Sequence, residues 1–210
     1  MPRHCTRSAT EDAPWHCRQR QCAVSEQQGM LPLEVYQSSF YPAARGCCVM
    51  MMTIFEAVHW KFPKEMPKKL NDEPHTLSFL TPCLLHDIAI TALYLHRPTV
   101  GRWWEIKKKV RLSEAVFHGY WFNQSIKTTS PVLVSWYSWK NNSPYRNMLV
   151  AGNVTRKEQK AGIKLTKLPF PAAKYSFYDL WNKQAMTLND VKELSVKPNN
   201  FRLIGIREGP

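Results

Sequence analysis

Apolar residues in the last third of the chain fall into short runs separated by turn residues. Residues 132–139 read Val-Leu-Val-Ser-Trp-Tyr-Ser-Trp, residues 175–181 Tyr-Ser-Phe-Tyr-Asp-Leu-Trp and residues 201–206 Phe-Arg-Leu-Ile-Gly-Ile. Residues 145–154, 161–168 and 191–196 form three more such runs. Short runs rich in Val, Ile, Tyr, Phe and Trp, with Asn, Pro, Lys and Gly between them, predict antiparallel strands. The segments Asn141-Asn142-Ser143-Pro144 and Lys197-Pro198-Asn199-Asn200 are turn sequences, because Asn tolerates left-handed dihedrals and Pro cannot continue a ladder. In 175–181, Tyr175, Phe177, Asp179 and Trp181 alternate with Ser176, Tyr178 and Leu180. In 201–206, Phe201, Leu203 and Gly205 oppose Arg202, Ile204 and Ile206. Apolar residues on both sets of positions predict strands covered on two faces. Trp136 and Trp139, three positions apart, are expected on opposite faces.

The pattern changes upstream. Residues 81–96 carry Leu84, Leu85, Ile88, Ala92 and Leu95 at helical spacing, with Thr81 as the expected N-cap and Pro82 at the first helical position. A second helix is predicted from Pro98, with Val100, Trp103, Trp104, Ile106 and Val110 as its apolar set. Lys107, Lys108 and Lys109 then fall in its last turns, where cations suit the helix dipole. Residues 115–122 read as a strand or strand-loop. Residues 49–60 are an apolar stretch too short for periodicity to type as helix or strand. Residues 61–74, with Pro63, Pro67 and Pro74, predict a connection. Residues 1–45 show neither period. The organisation predicted is a low-pattern, poorly ordered leader over 1–60, a helical segment over 61–129 and a β-rich unit over 130–210, in the α+β class.

Composition sharpens the boundary near Trp60. The chain has 210 residues, 44% hydrophobic and 21% charged, which is a globular balance. Residues 1–60 contain five Arg, no Lys and five acids, so the whole formal charge of +13 lies beyond them. Five of the six cysteines (Cys5, Cys17, Cys22, Cys47 and Cys48) also lie in that first part, at spacings that match no zinc template. No metal site is expected. The apolar runs fall short of the roughly 18 residues that a membrane helix needs, and residues near Met1 lack the apolar core of a secretory signal. No membrane association is expected, and the cytoplasm is the default location. The sequons at Asn123, Asn141 and Asn153 are then expected to be unused.

The excess charge is read first as a lysine-rich solvated surface. Only Lys107, Lys108 and Lys109 with Arg111 form a run, and no helix-turn-helix, finger or RNA-binding signature accompanies it. Nucleic acid is therefore not the expected partner. No phosphate-binding Gly-rich loop, Gly-x-Ser-x-Gly elbow or His-Glu-x-x-His pattern occurs, and no cofactor is expected.

The tail carries a further signal. Tyr178-Asp179-Leu180-Trp181, then Val196-Lys197-Pro198-Asn199, then Phe201-Arg202-Leu203-Ile204-Gly205-Ile206 resembles the last strands of the C-terminal sandwich in α-galactosidase-type glycoside hydrolases. Residues 67–79 and 117–125 resemble the end of the (β/α) barrel in bacterial glycoside-hydrolase-like proteins. Asn199 stands where those sandwiches often carry His, and the strand-borne Lys-x-Asp nucleophile segment of the family has no counterpart. The resemblance spans residues 63–207. It implies a partial helical barrel remnant followed by a C-terminal antiparallel β-sandwich.

The same resemblance implies a carbohydrate-active module, the C-terminal part of a glycoside-hydrolase-like protein, that is non-catalytic alone. It places His118, Trp121 and Asn123 at the end of the last barrel strand, the substrate face of such barrels. An indole offers a flat apolar face to a sugar, and His and Asn can bond its hydroxyls. The expected partners are a carbohydrate and either a missing barrel domain or a second copy of the chain. Catalysis needs two carboxyl groups roughly 5–9.5 Å apart. Asp72, Glu73, Asp87, Glu105 and Glu114 are the acids on offer. Catalytic residues are therefore left unassigned. The rival readings are a glycoside hydrolase active as an oligomer, using Asp72, Glu73 or Glu114, and a basic protein that binds nucleic acid or acidic glycan through residues 107–111. Asp179 is expected to be structural, and Trp103 and Trp104 to be core.

Overall fold

The computed structural model describes residues 33, 49–50, 72–90, 92, 95–122, 126–140, 143–165 and 175–208. The leader with its five cysteines, most of the 61–74 connection, Asn123 and the Asn141-Asn142 turn lie outside them. Among the described residues the elements are, in order, β1 (Val49–Met50), α1 (Glu73–Leu85), β2 (Ala89–Ile90), α2 (Arg97–Lys109), β3 (Val116–His118), β4 (Ile126–Lys127), β5 (Leu133–Ser138), β6 (Asn147–Asn153), β7 (Gln159–Lys160), β8 (Lys164–Leu165), β9 (Tyr175–Asp179), β10 (Gln184–Met186), α3 (Leu188–Lys192), β11 (Ser195–Val196) and β12 (Asn200–Glu208). A short 3-10 turn, Leu112–Glu114, follows α2. The fold is α+β. No helix among the described residues is long and apolar enough to cross a membrane.

The organising element is a six-stranded antiparallel sheet in the order β10-β9-β12-β6-β5-β3. Its middle strands are covered on both faces, as their two-sided apolar pattern predicts. All seven residues of β6 are buried. In β12, Phe201 and Leu203 join Tyr137, Met148 and Val150 in a core shared with Leu80, Leu84 and Leu85 of α1 and Trp103 and Ile106 of α2. On the opposite face, Ile204 and Ile206 join Val134, Leu149 and Phe177 in a second core, closed by Ile126, Ala161, Ile163, Val191 and Val196. These closing residues come from or flank two short antiparallel ladders, β4–β8 and β7–β11, and α3. The two tryptophans of the β5 run divide as expected: Trp139 belongs to the helix-side core and Trp136 packs against the other.

The first predicted helix is misplaced in the sequence reading. It runs Glu73–Leu85, not 81–96, and its N-cap is Asp72, whose Oδ1 accepts the His75 backbone N–H at 2.9 Å. Two prolines competed for the helix start. Pro74 beside an Asp cap wins over Pro82 beside Thr81, whose hydroxyl instead donates to the Leu77 carbonyl at 2.8 Å. Pro82 is carried inside the helix. An interior proline costs about 3 kcal/mol. Burial of Phe79, Leu80, Leu84 and Leu85 is worth about 1.5–3 kcal/mol for each side chain, and this outweighs it.

Two further expectations change. Residues 191–196 are not one strand. The reciprocal cap between Thr187 and Asp190 starts α3, and only Ser195–Val196 pair as a strand. Trp103 is core at 5% exposure, but Trp104 lies on the outer face of α2 at 48%. Consecutive helical side chains differ by about 100°, so only one of the two can face the sheet.

Candidate functional site

The candidate residues sit on β3 and the turn after it, at one edge of the sheet. In β3, Phe117 pairs with Tyr137 and His118 with Trp136. Neighbouring side chains in a strand point to opposite faces. Phe117 therefore joins the helix side, its ring 5.1 Å from that of Tyr137. His118 faces the other side, stacked on Trp136 at 3.8 Å and 10°. The turn then folds back to the helix side, with the Phe122 N–H donating to the Gly119 carbonyl at 3.1 Å. Trp121 lies 6.1 Å from Phe117. His118 and Trp121 thus stand on opposite faces and do not converge. Asn123, the third residue of the predicted group, lies outside the described residues.

Each tryptophan has its own surroundings. The Trp121 ring lies so close over Gly119 that a Cβ there would sit 2.6 Å from it. It stacks on His86 at 5.1 Å and 19° and meets Tyr120 edge-on at 5.0 Å. The indole Nε1 atoms of Trp121 and Trp136 are buried without a hydrogen-bond partner among the described residues. His118 Nε2 lies 2.9 Å from Ser138 Oγ, and partial burial lowers the proton affinity of its ring.

Around Trp121 the structure gathers groups the sequence did not single out. His86 follows the last turn of α1. Its Nδ1 is 2.8 Å from the Pro82 carbonyl, and a carbonyl can only accept, so Nδ1 carries the proton. Nε2 is then the acceptor for the Tyr120 hydroxyl at 3.3 Å. Burial lowers the affinity of His86 for a second proton, against the opposing effect of the Pro82 bond, which favours the protonated ring. Ser135, fully buried on β5, donates to the Leu85 carbonyl at 2.7 Å and accepts the Tyr120 N–H at 3.0 Å. One hydroxyl therefore ties the helix end to the β3 turn.

Asp87 is next in line. Its backbone is left-handed at φ 55°, which short polar side chains tolerate and most others do not. Its Oδ1 accepts the Tyr137 hydroxyl at 2.8 Å. Burial raises the pKa of the carboxyl, and the bond from Tyr137 and the charge of Lys107 oppose that rise. Burial first, and then the charge and hydrogen bond of Asp87, push the Tyr137 hydroxyl well above the ordinary tyrosine value. A sequence signal for these groups did exist, His86-Asp87 followed by an apolar pair. The misplaced helix ran through both residues, so Asp87 stood only as one of the acids on offer and His86 was not singled out.

The other candidate acids are dispersed. Asp72 caps α1 and lies 2.7 Å from His75 Nδ1. Glu73 is exposed in the first turn of α1, and Glu114 is exposed in the 3-10 turn. No group of three or more His, Cys, Asp or Glu side chains among the described residues is placed to hold a metal ion. Cys83 is fully buried in α1, and burial pushes its thiol far up, so it is core rather than nucleophile. Asp179 is structural. It is fully buried, accepts the Asn182 N–H at 2.9 Å and its Nδ2 at 2.8 Å, and pairs with Arg202.

Comparison with protein families, with curated proteins and with solved structures finds no match to this chain. The functional reading rests on the residues themselves.

Proposed function

We propose that the chain is a carbohydrate-active module, the C-terminal part of a glycoside-hydrolase-like protein, non-catalytic on its own. In this reading α1 and α2 are the end of a barrel and residues 130–210 are a β-sandwich that braces it. The two short ladders over the second core support the sandwich as a thin second layer. The shared core of α1, α2 and the sheet supports a brace between the two parts.

The observation that carries the sugar-binding part is the aromatic surface at the β3 edge. Trp121 is partly exposed, and Phe122, 6.1 Å away, is 56% exposed. Flat rings with the Tyr120 phenol beside them are the chemistry that takes a sugar, whose C–H face is apolar and whose edge is polar. The substrate class is a carbohydrate, and Trp121 is the residue expected to touch it. Calorimetric titration with an oligosaccharide panel tests this. Binding that weakens by about tenfold or more in Trp121→Ala supports the module. A folded chain that binds no oligosaccharide overturns it. A chromogenic glycoside panel run alongside reads non-catalysis. Turnover abolished by Asp72→Asn, Glu73→Gln or Glu114→Gln would replace the binding module with a hydrolase.

A further inference from the structure

The opposite edge of the sheet carries a cleft that the β3 site does not use. It has a volume of about 550 Å³ and lies between β10, α3 and the start of β11, with Arg202 of β12 among its lining residues. A volume of this order is in the range of small-ligand sites, roughly 300–1,000 Å³.

Its chemistry is specific. Arg202 donates to Asp179 through Nε at 2.6 Å and to the Ser195 carbonyl through Nη1 at 3.3 Å, and its Nη2 is 2.5 Å from the same carboxylate. The guanidinium is thus fixed in place and its charge is neutralised by a buried partner. These bonds use three of its five N–H groups. Asn189 of α3 and Glu193, the residue that caps its C-terminus, stand four residues apart, and both line the cleft with Gln184 of β10. Amide, carboxylate and guanidinium are planar groups that can bond two neighbouring hydroxyls at once. Ala185 and Met186 add apolar surface. The remaining charges, Asp190 and Glu193, are both negative, in a chain whose net charge is +13. That balance disfavours an anionic ligand in this cleft.

We propose that this cleft is a second carbohydrate subsite, selective for a neutral sugar over a sugar acid. It rests on the carbohydrate reading above and assigns a site on the far side of the sheet from Trp121. Glu193→Gln and Asn189→Ala leave the Thr187–Asp190 cap and the Asp179–Arg202 pair intact. The test is titration of the full chain, in a Trp121→Ala background, with neutral oligosaccharides and with uronic-acid oligomers. The expected result is residual neutral-sugar binding that falls by about tenfold or more when both cleft substitutions are added, with the uronic acids weaker throughout. Residual binding indifferent to the cleft substitutions overturns the subsite and leaves the carbohydrate reading standing. So does complete loss of binding in Trp121→Ala alone. A native chain that binds no sugar at all overturns both.

Discussion

Arg202 on β12 holds the fully buried carboxylate of Asp179, at the end of β9, in a two-pronged grip, Nε at 2.6 Å and Nη2 at 2.5 Å. The two strands are paired neighbours, and Asn182 supplies two more donors to the same carboxylate. The carboxylate is therefore satisfied on all sides, and this locks the Asp179-Leu180-Trp181 turn. Arg202→Ala leaves that charge buried without its cation. A loss of about 3–5 kcal/mol in unfolding free energy is expected, read by urea denaturation. A loss under about 1 kcal/mol would mean that water reaches the site and the pair is only decorative.

Ser135 joins parts of the chain that are far apart in sequence. Its hydroxyl donates to Leu85 at the end of α1 and accepts from Tyr120 in the β3 turn. Ser135→Ala strands both partners in a dry place, so a loss of about 1–3 kcal/mol is expected. Amide hydrogen exchange gives the sharper reading. Tyr120 N–H should exchange faster while the amides of β6 and β12 keep their protection.

Gly205 is required by a neighbour rather than by its backbone angles. A Cβ at this position would lie 2.5 Å from the Tyr145 ring, which itself sits under the Arg207 guanidinium at 4.5 Å. Gly205→Ala should cost about 1–3 kcal/mol through overpacking, seen as a lower thermal midpoint. Pairing it with Tyr145→Leu should recover part of that loss. If the double variant is worse than the sum of the singles, ring contact is not the cause.

The sheet was legible because its signal is repeated. Residues 133–138, 147–153, 175–179 and 200–208 each carry enough Val, Leu, Ile and aromatic residues to specify a strand alone, and the structure places all four side by side in one sheet. The small elements were not legible. Gln159–Lys160 and Gln184–Met186 have no apolar alternation of their own and are strands only because a partner aligns them. The start of α1 turned on which of two prolines stood beside the better cap, a difference of about 1 kcal/mol that spacing does not encode. The candidate site suffered for the same reason. His118 and Trp121 are close in sequence, but a period of two in β3 and a turn at Gly119 place them on opposite faces.

Both described histidines next to tryptophan titrate against folding. Burial lowers the pKa of His86 and of His118 from the ordinary value of 6.5. The unfolded chain therefore takes up protons first as pH falls. Stability is complete above about 6.5 and is lost as pH drops through the lower native values. Urea midpoints measured from about pH 8 to about pH 5 should decline below 6.5, and His86→Gln together with His118→Gln should flatten that decline. A profile identical in native and doubly substituted chains would count against buried neutral rings at these two positions.

Asp87 separates a structural from a catalytic role at the helix-side cluster. Its carboxyl accepts the Tyr137 hydroxyl from a left-handed backbone at φ 55°. Burial raises its pKa from 3.8, against the Tyr137 bond and the charge of Lys107. The sign follows from linkage. Above its native pKa the carboxylate is ionised in both states but less favourable in the folded one, so stability is gained as pH falls through that value towards 3.8. Asn keeps an acceptor for Tyr137, tolerates the left-handed backbone and carries no charge. Asp87→Asn should therefore leave the thermal midpoint at neutral pH unchanged or higher, and the acid-side gain should vanish. Asp87→Ala lacks both the acceptor and the tolerance for that backbone, and should lower the midpoint. Oligosaccharide affinity should be unchanged in Asp87→Asn. If the isosteric change instead abolishes turnover of a glycoside while the fold stays intact, the carboxyl is an acid or base in chemistry and the non-catalytic reading is wrong.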